Sequence, residues 1–109
     1  MKEQIVKLFK TTGYLDYIEE ESSIKDFVIL DKIKELQDKY NVKSKELALY
    51  YLLEHVCKSN KYVFQLEDYD DDIYLNVNNI HIVRLEENRK SKIFTNLKYL
   101  NELVLNVKL

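Results

Sequence analysis

KYVFQLEDYDDDIYLNVNNIHIVRL, residues 61–85, decides the fold. Apolar side chains alternate at Ile73, Leu75 and Val77 and again at Ile80 and Ile82, with Leu85 further on. Strict alternation puts such a set on one face of a strand. Between the two runs stand Asn78 and Asn79. A two-residue hairpin loop of the primed type needs positive φ at its central residues, which asparagine tolerates better than other residues bearing a side chain, so the pair predicts a β-hairpin. Tyr62-Val63-Phe64-Gln65-Leu66 is a third β-rich run, and Glu67 to Asp72 predicts an acidic loop joining it to the hairpin. The stretch thus predicts a three-stranded antiparallel meander with one face buried under flanking helices.

On the amino-terminal side the apolar period lengthens from two to that of a helix. Ile5, Val6, Leu8 and Phe9 predict a short helix ending near Gly13, the only glycine, and Tyr14, Leu15, Tyr17 and Ile18 predict one or two further turns. Ser22-Ser23 with Asp26 behind them predict a capped start for a helix carried by Phe27, Val28, Leu30, Ile33 and Leu36 to about Tyr40, with Asn41 ending it in the left-handed conformation. Ser44 caps the next helix. Leu47, Ala48, Tyr50, Tyr51, Leu52, Leu53 and Val56 make that helix apolar on more than one face, which predicts the central core element.

On the carboxyl-terminal side Ile93, Phe94, Leu97 and Leu100 predict a helix from about Ser91. Leu103, Leu105, Val107 and Leu109 alternate, which favours a closing strand, although positions 93, 97, 100, 104 and 107 also fit one long helix. The fold class is therefore α+β in a single domain: amino-terminal helices (residues 1–60) packed on a three- to four-stranded, mainly antiparallel sheet formed by the carboxyl-terminal half (61–109).

Hydrophobic residues make up 46% of the 109 and charged residues 33%, with a formal net charge of −2. That is the balance of an ordinary globular chain, with no strong global field of either sign. Cys57 is the only cysteine, so an intramolecular disulfide is ruled out and no metal-ligand spacing is present. The charged, amphipathic start lacks the apolar core of a signal peptide, and no run approaches the ~20 apolar residues that span a bilayer. The expectation is a cytoplasmic protein away from membranes. One Gly, one Ala, two Arg and no Pro against many Lys, Asn, Ile and Tyr suggest a low-GC genome, and the size fits a phage or other mobile-element product.

Glu67, Asp68, Tyr69, Asp70, Asp71 and Asp72, with Tyr74 close behind, are the sharpest chemical feature. Asp68, Asp70 and Asp72 alternate like the opening of a calcium loop, but Ile73 stands where the turn glycine belongs and Asn79 where a bidentate glutamate belongs. The remaining readings are a solvated loop or an acidic recognition surface for a basic protein. A second pattern is a helix-turn-helix over Asp31–Tyr40, Asn41-Val42 and Ser44–Val56. In it Lys43, Ser44 and Lys45, with Arg89 and Lys90 from a wing, contact nucleic acid. Any two amphipathic helices joined by a short turn look similar.

His55 and Cys57 diverge on a helix, and His81 points away from Ile80 and Ile82, so neither histidine suggests an acid, base or ligand. No phosphate-binding glycine loop or nucleophile elbow occurs. The partial leucine-rich spacing from Val83 to Leu105 falls short of the three or so repeats such arrays need. The sequence therefore favours a non-enzymatic binding protein without a cofactor. Its expected role is a stoichiometric inhibitor or adaptor, acting on a cationic, nucleic-acid-handling protein through the acidic Tyr/Asp surface. The alternative is a winged-helix-like DNA-binding regulator.

Overall fold

The computed structural model describes residues 1–109. Four helices come first, α1 (Lys2–Thr12), α2 (Tyr14–Ile24), α3 (Ile29–Tyr40) and α4 (Lys45–Asn60). The strands β1 (Phe64–Tyr69), β2 (Asp72–Val77), β3 (Ile80–Glu86) and β4 (Ser91–Phe94) follow, and α5 (Leu97–Leu105) comes last. The sheet is antiparallel in the order β1-β2-β3-β4. The α+β class and the helical first half are as the sequence predicts.

α4 is the core element. Ser44 Oγ accepts from the Leu47 N–H at 3.2 Å, satisfying one of the free donors of the first turn. Ala48, Leu49, Leu52, Leu53 and Val56 are then fully buried. They meet Ile5, Leu8 and Phe9 of α1, Ile29, Ile33 and Leu36 of α3, Leu97, Leu100 and Val104 of α5, and Leu75, Val77, Ile82 and Val83 of the sheet in one apolar cluster. Gly13, at φ 67, ends α1 and lets α2 begin at the next residue; a side chain there would be strained.

Four expectations need correction. Ser22 and Ser23 cap nothing: α2 continues through them to Ile24, and Ser23 Oγ donates back to the Glu20 carbonyl. α3 starts at Ile29 instead, where the Val28 N–H donates to Asn101 Oδ1 of α5 at 2.7 Å, a cap supplied by a distant residue. Residues 91–94 form β4 and not the start of a helix, because pairing with Val83–Glu86 and packing of Phe94 against the rings of Tyr14 and Tyr17 outweigh a short helical period. Residues 103–109 form no strand: α5 runs to Leu105, burying Leu97, Leu100 and Val104, and the tail is held by Lys32 Nζ on the Val107 carbonyl and His55 on that of Lys108.

The fourth correction concerns the acidic segment, most of which is strand. Glu67, Asp68 and Tyr69 belong to β1 and Asp72 to β2, leaving Asp70 and Asp71 as the turn. Their φ values of 49 and 68 match the predicted Asn78-Asn79 turn, where φ is 55 and 63. Both are two-residue hairpins of the primed kind. β1 starts at Phe64 because Lys61 and Tyr62 are used to end α4: the Lys61 N–H meets the Lys58 carbonyl and the Tyr62 N–H that of Cys57.

Candidate binding surface

Register fixes which strand residues share a face. Phe64, Leu66, Ile73, Leu85 and Phe94 pack against the helical core. Opposite them Glu67 pairs with Tyr74, Tyr74 with Arg84 and Arg84 with Ile93, making one row across all four strands. Tyr69, Asp72, Glu86 and Ser91 make the row nearer the β1–β2 turn, and Gln65, Asn76 and His81 the row on the other side. A bulge in β3 puts Ile82 out of register between His81 and Val83. Through it both Ile82 and Val83 are buried while Arg84 still lies opposite Tyr74.

Arg84 organises this face. Its Nη2 donates to Asp72 Oδ2 at 3.0 Å, its Nε lies 3.4 Å from Glu86 Oε1, and its guanidinium carbon is 5.0 Å from the Tyr74 ring centroid. The Tyr74 hydroxyl also donates to Asp72 Oδ2, at 3.3 Å, and its ring lies 4.9 Å from that of His81. Arg89 reaches Glu86 Oε2 at 3.6 Å from the rim. The hydrogen bond to Asp72 holds the Arg84 pKa above its ordinary value, so the guanidinium is a fixed charge. Loss of surrounding water raises the Tyr74 hydroxyl, with Arg84 opposing it. The phenol is a neutral donor at physiological pH.

The residues of the acidic segment therefore divide into two groups. Asp72 and Tyr74 are engaged within the molecule, whereas Asp68, Asp70 and Asp71 are exposed and enter no ion pair, and Glu67 accepts only from Gln65. Tyr69 is 68% exposed. Glu67, Asp68, Tyr69, Tyr74, His81 and Arg84 line one depression of about 560 Å³. Sequence reasoning groups Arg84 with the basic segment that runs on to Lys98, tempered by Glu86 and Glu87, and does not place Arg84 and Glu86 on this face, because their place depends on the bulge, which only the shift of apolar positions from Ile80 and Ile82 to Val83 and Leu85 hints at. The outward turn of His81 was legible from alternation.

The basic residues of the alternative reading lie on separate elements. Ser44 is occupied in capping α4, Lys45 Nζ lies 3.3 Å from Glu19 Oε1, and Lys43 gives its carbonyl to Gln37 Nε2. The groove at that end of α4 is lined by Glu19, Asp31 and Asp38 as well as Lys34 and Lys45. Arg89 and Lys90 lie in the β3–β4 turn, with Arg89 paired to Glu86. The helix that would read a major groove is α4, whose middle is buried on most sides.

Elsewhere, burial pushes the Cys57 thiol up to about 11, far from a reactive thiolate. His55 is exposed and meets a backbone carbonyl. No group of three or more His, Cys, Asp and Glu is placed to hold a metal ion, and no helix is long and apolar enough to cross a membrane. No protein-family model, curated protein or solved structure matches the chain.

Proposed function

We propose that this is a non-enzymatic binding protein that captures a basic protein through the β1–β2 hairpin and the open sheet face. One observation carries the reading: Arg84 on that face is held by Asp72 and Glu86 and Arg89 at its rim by Glu86, while Glu67 on the face and Asp70 and Asp71 in the adjoining turn have no counter-ion. The face is therefore locally acidic on a chain whose total charge is only −2. Carboxylates lined along a hairpin resemble a row of phosphates to a cationic groove. A partner that ordinarily handles nucleic acid, bound stoichiometrically for inhibition or recruitment, is the kind that fits.

The duplex-DNA reading has less to rest on. Phosphates approaching Lys45 would meet Glu19, Asp31 and Asp38 in the same groove.

The test uses an immobilised octalysine peptide as a surrogate for a basic surface. Intact protein and a variant with Glu67→Gln, Asp68→Asn, Asp70→Asn and Asp71→Asn are compared across a salt series. The reading expects fast association by the parent, falling steeply with salt, and little by the variant. Equal binding by the two proteins, or tighter binding by the parent to duplex DNA than to the peptide, would overturn it.

A further inference from the structure

We infer that the depression lined by Glu67, Asp68, Tyr69, Tyr74, His81 and Arg84 is a seat for one arginine side chain of the partner. The inference rests on the basic-partner reading and makes it specific. The lining joins the unpaired Glu67 carboxylate to the rings of Tyr69, Tyr74 and His81, and a guanidinium matches both, offering planar donors to a carboxylate and a face to an aromatic ring. A lysine ammonium, a compact and strongly hydrated charge, uses the carboxylate but gains little from the rings.

Three features of the face support this. The chain already seats one guanidinium this way, since Arg84 lies over Tyr74 while donating to Asp72. With that charge matched by Asp72 and Glu86, the unbalanced charge of the depression belongs to Glu67. Tyr69 stands at the edge, largely exposed, with neither a ring nor a cation against it.

The experiment titrates the intact protein with octaarginine and octalysine, equal in charge and length, in the same buffer. The seat predicts arginine binding tighter by about tenfold, the scale of a partly desolvated cation–π contact with a bidentate ion pair. Tyr69→Leu, at an exposed position, should abolish the preference for octaarginine over octalysine. In the parent, octaarginine should shift the ring resonances of Tyr69, Tyr74 and His81. Equal affinities, an unaltered preference in Tyr69→Leu, or ring shifts confined to other tyrosines would overturn the arginine seat while leaving the basic-partner reading intact. Failure of both peptides to bind would overturn that reading, and the seat with it.

Discussion

Tyr14 shows how a single atom can oppose the packing around it. Its ring is fully buried, stacked 5.5 Å from Phe9 and tilted against Phe94 at 5.3 Å, yet its hydroxyl has no hydrogen-bond partner. Burial raises that hydroxyl far above an ordinary phenol. Removing an unsatisfied buried donor while keeping the ring is favourable, so Tyr14→Phe should stabilise the protein by about 1 to 2 kcal/mol in denaturant unfolding. A loss of stability would mean that the hydroxyl is satisfied by bound water. Cys57 supplies a second test, through pH. Its folded-state pKa is raised from 9.0 to about 11. Below pH 9 both states keep the proton and no difference arises; between 9 and 11 the unfolded chain loses it first, so stability falls as pH rises. The fall for this group is on the order of 2 kcal/mol across that window. Cys57→Val should flatten the first part of the decline in melting temperature, and an unchanged pH profile would mean that the thiol reaches water.

At the scale of elements, legibility followed how local the signal was. Asn78-Asn79, Gly13, Asn41 and the Ser44 cap each impose a backbone conformation through their own chemistry, and each ends or turns an element where expected. The misreadings fall where a distant partner decides: Asn101 caps α3 in place of Ser22 or Ser23, and β3 recruits residues 91–94 as an edge strand. Periodicity in short apolar runs carries no information about such partners. The acidic segment was legible as a cluster but not as a hairpin, because aspartates stand at two left-handed positions where asparagine or glycine is the usual signal. A pair of substitutions tests both turns. Asn79→Gly and Asp71→Gly should each be neutral or stabilising, by up to about 1 kcal/mol, as relief of strain at positive φ offsets the greater freedom of the unfolded chain. Asn78 makes a poor target for the same change, since its Nδ2 donates to the Tyr99 hydroxyl at 2.9 Å. A clear drop in melting temperature in either glycine variant would move the turn.

Across the whole molecule, the sheet separates two tasks by face. One face gives Leu75, Val77, Ile82 and Val83 to the core around α4, and the other spends its buried polar groups on fixing Arg84 among Asp72, Tyr74 and Glu86. That division has a consequence within three consecutive aspartates that look equivalent in sequence. Asp70 and Asp71 are exposed and unpaired, so replacing both by asparagine should leave stability unchanged or raised, since asparagine accepts positive φ more readily. It should slow association with a basic peptide at low salt, with the difference vanishing as salt is raised, because exposed charges act mainly by steering. Asp72→Asn should do the reverse. It removes the carboxylate that holds Arg84 and Tyr74 and leaves a half-exposed guanidinium with only Glu86, so the melting temperature should fall. A freed Arg84 beside Glu67 then alters the dissociation rate of a bound arginine peptide more than its association rate. Melting curves and binding kinetics for the two variants decide the matter, and identical behaviour would show that the three aspartates form a single undifferentiated acidic patch.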